Sequence, residues 1–513
     1  MSFSTRFRLV LLAGLVLLLA VLVSQEINLV TADLGRHLKN GELVLQGKAW
    51  QIWQTNFYSF TYSQFPFVNH HWGSGVVFYL IQQFFGFTGL SVFFSLITLA
   101  TFLIFFRLAW KNSRFSIAFL AAILVLPILV SRGEIRPEVF SCFLAGICWW
   151  ILSEGRQKRK LLWSLPFLTL LWVNLHLYFF LGFFLIGTFF LEELISLLKK
   201  ARGLRDLSYL KSLGVSGGFS LLACLVNPAG LKGVFYPFQI FNNFGYRLFE
   251  NQSVWFLDKI VQYPPSLYFK IAFGALALSW LYVLWTRKRL TVHCFLFTVF
   301  FSYLGWTAVR NFTLFGYFAL PILATNLKVL FFKQKETETE YFVAASLAAL
   351  TLFGLFFLNS SYWANRISLG LGLKEGNGRA AEFFLKENLK GPIFNNYDNG
   401  GYLIYFLYPQ KVFVDNRPEA YPKDFFEKIY IPMQESEEKW QAVEKEYQFN
   451  TIFFFRHDLT PWGQNFLIKR IKDSTWAPVY VDDWSIIFLK RNKENEALIQ
   501  KYELPKEIFS ISK

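Results

Sequence analysis

Cysteine is scarce in this chain. There are four among 513 residues, Cys142, Cys148, Cys224 and Cys294. All lie inside apolar runs and none in the polar C-terminal region, so the sequence carries no disulfide framework and no Cys-His metal spacing. They read as small buried hydrophobes. Charge is also sparse, at 17% of residues, against 54% hydrophobic and 20% aromatic residues. With a mean hydropathy of +0.34, that balance excludes an ordinary soluble protein. Acids are the scarcer sign: 35 Asp and Glu face 51 Lys and Arg, a net charge of +16. Such an excess invites a nucleic-acid reading. The basic residues, however, sit in short clusters between apolar runs, the pattern of cytoplasmic membrane loops. Nucleic acid is therefore set aside, and anionic headgroups and lipid phosphates remain as partners.

Other absences narrow the field. No internal repeat or low-complexity segment is present. The C-terminal region has no Gly-rich phosphate loop. The start, Arg6-Phe7-Arg8 and an apolar run to Val23, is not followed by a small-residue cleavage site, which predicts a retained signal-anchor helix. No eukaryotic sorting signal occurs, which points to a bacterial cytoplasmic membrane.

What is there is a succession of apolar runs long enough to cross a bilayer. They predict about eleven spans: 8–24, 88–109, 115–131, 137–153, 161–174, 177–197, 212–226, 266–286, 291–308, 312–331 and 341–359. With the N-terminus inside, the basic clusters 107–114, 156–160, 199–211, 287–289 and 328–335 all face the cytoplasm. This holds only if 73–87, which is short and carries Gln82 and Gln83, lies along the membrane as an interfacial helix. The C-terminal region is then outside.

That topology gathers the polar interruptions on the outer face. The first loop, 25–87, carries Asp33, Arg36 and His37 within one helical turn and ends on His70-His71-Trp72. Asp33 and His37 are i,i+4 neighbours on a helix. A carboxylate beside an imidazole suits acid/base work or metal binding. The plain alternative is a capped surface helix with solvated charges. Arg132, Glu134, Arg136 and Glu138 share the predicted face, as do Asn174, His176, the 227–230 turn with the long loop to Pro265, and Arg310. Ionisable groups at membrane depth are costly and mark functional sites, although single polar residues also mark span ends.

Beyond Asn359 the composition changes, giving domains at 1–359 and 360–513. Helical stretches (377–388, 399–407, 423–432, 436–447, 461–473) alternate with strand-like runs at 392–395, 411–415, 451–455, 478–481 and 485–489. This predicts a small extracytoplasmic α/β domain, with Asp415 and Arg417 at a strand end where such domains bind ligands, or as a surface ion pair.

The ordered set Asp33-Leu34-Gly35-Arg36-His37, Val68-Asn69-His70-His71-Trp72, Arg136-Pro137-Glu138, Val173-Asn174-Leu175-His176, Asn227-Pro228-Ala229-Gly230, Arg310-Asn311-Phe312 and Val414-Asp415-Asn416-Arg417 resembles the integral-membrane glycosyltransferases of the GT-C fold. The likeness covers most of the chain and is nearest to bacterial multi-span members similar to the lipid-linked-sugar-dependent mannosyl and arabinosyl transferases. It implies a multi-span bundle with Asp33 at the position of the family's catalytic acid residue. It also implies a sugar donor on a polyprenyl phosphate, and a glycan, lipid or protein acceptor on the outer face. Relatives often place a carboxylate just before the loop-end Trp. Here that position is His71, which leaves Glu134, Glu138 or His71 as partner to Asp33.

On that reading Asp33 is the general base. Arg132, Arg136 and Arg310 stabilise the leaving phosphate. Arg36, His37, His70, Glu138, Asn174 and His176 line the substrate. Asp33, His37 and His71 are permissive for a divalent cation without demanding one. A single displacement inverts the anomeric centre. The alternatives are a transporter or flippase of lipid-linked intermediates, for which no inverted repeat with broken helices is evident, and a non-catalytic scaffold binding a glycan or partner.

Overall fold

The computed structural model describes residues 3–199, 204–239, 242–286, 290–328, 337–366 and 370–509. The basic cluster at 287–289 and most of that at 328–335 lie outside them. Contacts divide the chain into two compact units: one of 1–26, 91–227 and 247–371, the other of 27–90, 228–246 and 372–513.

The first unit is helical. Each run expected to span a membrane coincides with a helix, among them Phe3–Val23, Phe115–Leu129, Glu138–Gly155, Phe180–Leu198, Pro264–Trp285, Val292–Thr307, Phe312–Leu327 and Glu338–Leu358. Six of the described helices are long and apolar enough to cross a membrane by themselves, and Phe115–Leu129 and Val292–Thr307 are shorter apolar helices. The protein is an integral membrane protein. A helix apolar on every face must be surrounded, and Phe312–Leu327 is buried at nearly every position. It packs against Phe115–Leu129, Pro264–Trp285 and Val292–Thr307. Aromatic rings fill the seam: Phe301 stacks on Phe318 at 3.7 Å and Trp149 on Phe318 at 5.2 Å. In lipid, such van der Waals fit drives association, because tails are as apolar as the side chains.

The helix Trp72–Asn112 is two helices joined at Gly86, whose φ of 66° is left-handed. A residue with Cβ is strained there. The first helix thus stops before Gly86, within the segment read as interfacial.

The second unit is built on a four-stranded sheet: β1 Ile393–Asn395, β2 Thr451–Phe455, β3 Trp476–Val481 and β4 Ser485–Lys490. The order is β1-β2-β4-β3, with β1 and β2 parallel and the other pairs antiparallel. All five β2 residues are buried, as expected of an apolar strand covered on both faces. Trp440, Phe394 and Phe466 pack beside it, with ring centroids 4.9–5.2 Å apart.

The run 411–415 does not join this sheet as a strand. Val412 instead bridges Ser59 in parallel, exchanging backbone hydrogen bonds with Tyr58 and Phe60. Its other side is held by the Asn395 side chain, whose amide oxygen accepts from Phe413 N at 3.0 Å and whose amide donates to Val414 O at 2.8 Å. The segment 27–90, assigned by composition to the membrane domain, thus packs with residues 372–513. The composition boundary at Asn359 falls inside the first unit.

Two glycine contacts set the helix Leu34–Leu45. A Cβ on Gly35 would lie 2.6 Å from the Gly401 carbonyl oxygen, and one on Gly75 would lie 2.6 Å from that of His37. Backbone meets backbone at both, so the helix is gripped between 400–407 and the start of Trp72–Asn112.

Candidate active site

The second unit brings together Asp33, Arg36, His37, His70 and His71. Asp33 is the residue before the helix Leu34–Leu45 and is part-exposed, while Arg36 and His37, one turn on, are buried. The His37 and His71 rings lie 5.5 Å apart edge to face, and His70 and His71 lie 3.9 Å apart. Tyr236 covers His70 at 4.8 Å. The imidazoles therefore form a row. Among the described residues no group of three or more His, Cys, Asp or Glu could hold a metal ion. No step below runs through a metal.

A buried ion pair anchors this row. Arg417 donates to both Asp415 oxygens, at 2.7 and 2.6 Å, and to Asn56 Oδ1 at 2.8 Å. Its guanidinium lies 4.6 Å from the Phe67 ring centroid and 5.6 Å from that of Tyr58. Tyr58 donates to Asn40 Oδ1 at 2.7 Å. Burial alone would lower the Arg417 pKa, but Asp415 outweighs it and the net shift is upward. Arg36 donates weakly to Asn416 Oδ1 at 3.4 Å. The strand-end pair suggested by the sequence is therefore the clamp joining 36–40, 56–67 and 415–421.

The first unit holds a second cluster, described by itself. Arg132 donates to Glu250 at 2.7 Å and lies 3.4 Å from Glu138. Arg136 donates to Glu250 at 2.9 Å and to Glu134 at 2.8 Å. Arg310 donates to Glu138 at 2.6 Å and to Asn251 at 2.9 Å, with Glu250 at 3.6 Å. Desolvation pushes the Glu250 carboxyl up, but Arg132, Arg136 and Arg310 prevail and hold it well below the usual carboxylate range. Arg132 is shifted upward, its burial outweighed by Glu138 and Glu250. Glu134 is exposed. With Glu134, paired with Arg136 at the exposed edge, the cluster holds three guanidinium groups and three carboxylates and is balanced in charge. The buried Arg310 Nε has no hydrogen-bond partner among the described residues. Two cavities of about 60 and 160 Å³ share Arg132, Glu134, Arg136 and Arg310. The smaller continues onto apolar groups, including Phe94, Leu129, Leu314 and Tyr317.

Asn174 and His176 lie at the C-terminal end of the helix Leu165–Leu175. Asn174 donates to Leu170 O and Val226 O, at 2.9 and 2.8 Å, tying a helix end to the next turn. His176 shares Ser141 Oγ, 2.7 Å away, with the Trp172 indole.

Sequence reasoning missed Glu250, which lies in the long loop before Pro265, where no spacing tied it to Arg132.

Helix bundle, gripped first-loop helix and small sheet together define a class: the chain has the GT-C fold of integral-membrane glycosyltransferases. It is similar to the archaeal oligosaccharyltransferase AglB from Archaeoglobus fulgidus in complex with an inhibitory peptide and a dolichol-phosphate, at 11% identity and TM-score 0.57 over 94% of this chain and 74% of that one. The Archaeoglobus fulgidus oligosaccharyltransferase tethered with an acceptor peptide gives a TM-score of 0.58 at 11% identity, over 96% of this chain and 75% of that one. ArnT from Cupriavidus metallidurans in the apo state matches at 13% identity and TM-score 0.53, over 95% of this chain and 98% of that one. No protein-family model matches the chain and no curated protein matches it significantly.

Proposed function

We propose that the protein is a membrane glycosyltransferase that moves a sugar from a polyprenyl-phosphate donor to an acceptor hydroxyl on the outer face of a bacterial cytoplasmic membrane. The observation that carries this reading is the Arg132–Arg136–Arg310 cluster. Its three guanidinium groups line one cavity that continues along apolar side chains, as a phosphate with a hydrocarbon tail requires. The dolichol-phosphate in the AglB complex supports the same ligand chemistry.

In the proposed reaction Asp33 takes the proton of the acceptor hydroxyl as its oxygen attacks the anomeric carbon. The bond from that carbon to the phosphate oxygen breaks, and the phosphate leaves with the electron pair. It is already anionic, so it needs charge stabilisation more than a proton. Guanidinium groups held in advance by Glu138 and Glu250 supply this without reorganising. One displacement inverts the anomeric configuration. Arg36, His37, His70 and His71 line the acceptor side, His71 standing where relatives carry a carboxylate. Glu134, exposed and paired with Arg136, orients that arginine. The 360–513 region is extracytoplasmic in this reading. The test is release of free prenyl phosphate by protein reconstituted in lipid. Lipid movement between leaflets without release would favour a transporter.

A further inference from the structure

The helix Glu138–Gly155 begins at Glu138 and runs for 18 residues. At 1.5 Å per residue its far end is about 27 Å away. There it meets the turn Arg156-Gln157-Lys158-Arg159-Lys160, which leads through the 3₁₀ segment Arg159–Ser164 into the helix Leu165–Leu175. All five turn residues line one cleft of about 720 Å³. Four of them are cations and none is an acid. The basic clusters of the sequence assign this end of the bundle to the cytoplasm.

Two of the cations are held in place by neighbouring helices. Arg156 donates to Glu192 at 2.6 Å and lies 2.6 Å from Glu193. Glu192 also lies 2.6 Å from His293 Nδ1. Arg159 donates to Ser208 Oγ at 2.6 Å. Lys158 and Lys160 are exposed and have no ion-pair partner among the described residues. Like charges set so close together repel one another, and an anion entering the cleft removes that repulsion.

The surface beside the cleft decides which anion fits. Trp163, Phe167 and Leu171 follow the turn at intervals of one helical turn, and each is half or more exposed. They form an apolar ridge about 12 Å long. Phe219 of the helix Leu204–Ala223 lies 5.9 Å from the Trp163 ring and is exposed as well. A soluble phosphate would use the cations and leave the ridge bare. A zwitterionic headgroup would bring its ammonium to lysines, with no carboxylate in the cleft to receive it. A phospholipid of net negative charge uses both surfaces. Its headgroup meets the basic turn, and a tryptophan stands at headgroup level, where its amphipathic ring is favoured.

We propose that the turn 156–160 and the ridge Trp163–Phe167–Leu171 form a binding site for a phospholipid with an anionic headgroup, the phosphate resting on Lys158, Arg159 and Lys160 and an acyl chain along the ridge. The site is separate from the arginine cluster at the other end of the helix and does not depend on the transferase reading.

The full chain in detergent is titrated with phosphatidylglycerol or phosphatidylcholine of matched chains, and bound lipid is counted by native mass spectrometry. The wild type binds phosphatidylglycerol more tightly. Lys158→Gln/Lys160→Gln weakens that binding about thirtyfold, as two lysines at an anionic surface contribute, and leaves phosphatidylcholine unchanged. Arg107→Gln/Lys199→Gln removes the same charge from the same predicted face outside the cleft and stays within about threefold of wild type. Phe167→Ala weakens both lipids. Glycerol 3-phosphate, the headgroup chemistry without the chains, binds far more weakly than phosphatidylglycerol. Equal binding of the two lipids by the wild type, or equal weakening by the two double variants, overturns the site. Glycerol 3-phosphate binding as tightly as phosphatidylglycerol overturns the lipid and leaves a soluble phosphate in its place.

Discussion

Arg310 donates a 2.6 Å hydrogen bond to Glu138, a residue 172 positions earlier in the chain. Both also approach a third partner, Arg132 or Glu250, so the Arg310 fork is oriented before any ligand arrives. If that fork receives a phosphate, Arg310→Lys keeps the charge and loses the planar geometry. The expected result is a fall of about 10²–10³ in the rate of donor cleavage for Arg310→Gln and a smaller one for Arg310→Lys. Steady-state kinetics with a prenyl-phosphate sugar decides it.

The Glu250 carboxyl is held below its ordinary value, so the stability it contributes is present at neutral pH. That contribution is full above the unfolded carboxyl value of about 4.3 and is lost as pH falls toward the depressed folded value. Glu250→Gln should therefore lower the thermal midpoint at pH 7, with the gap to wild type narrowing below about pH 4. A gap constant from pH 7 to pH 3 would place the stabilisation elsewhere.

Removing one partner of a buried pair strands the other charge. Arg417→Ala leaves Asp415, itself 0% exposed, without its cation, at a cost of roughly 3–5 kcal/mol. Asp415→Ala should cost about as much. Denaturant or thermal unfolding of the full chain in detergent measures both, and a loss below about 1 kcal/mol would rank the pair with surface salt bridges.

Gly35 and Gly75 meet backbone carbonyls, which cannot swing aside as a flexible side chain would. Gly35→Ala and Gly75→Ala should each destabilise by about 1–3 kcal/mol or more. Gly274→Ala, in the helix Pro264–Trp285 with nothing near its Cβ, should be neutral or stabilising by up to about 1 kcal/mol. Equal melting of all three variants would contradict the gripped-helix account.

Much of this was legible in the sequence. Apolar runs place the membrane helices because length and hydropathy alone make a helix spanning. The break at Gly86 was foreshadowed by a short segment with Gln82 and Gln83. Asp33, Arg36 and His37 declared themselves by spacing within one turn. The misread parts depend on partners distant in sequence. The run 411–415 has the pattern of a strand, but its backbone partners lie at 58–60, which no local signal reveals. Glu250 is an unremarked loop acid until Arg132 and Arg136 close on it.

The central claim is that Asp33 deprotonates the acceptor during transfer from a lipid-linked donor. It is tested by incubating reconstituted wild type and Asp33→Asn with polyprenyl-phosphate sugars and an acceptor, and following free prenyl phosphate. The account predicts release by the wild type and a loss of about 10²–10⁴-fold in a folded Asp33→Asn protein. Equal release by the two would contradict it.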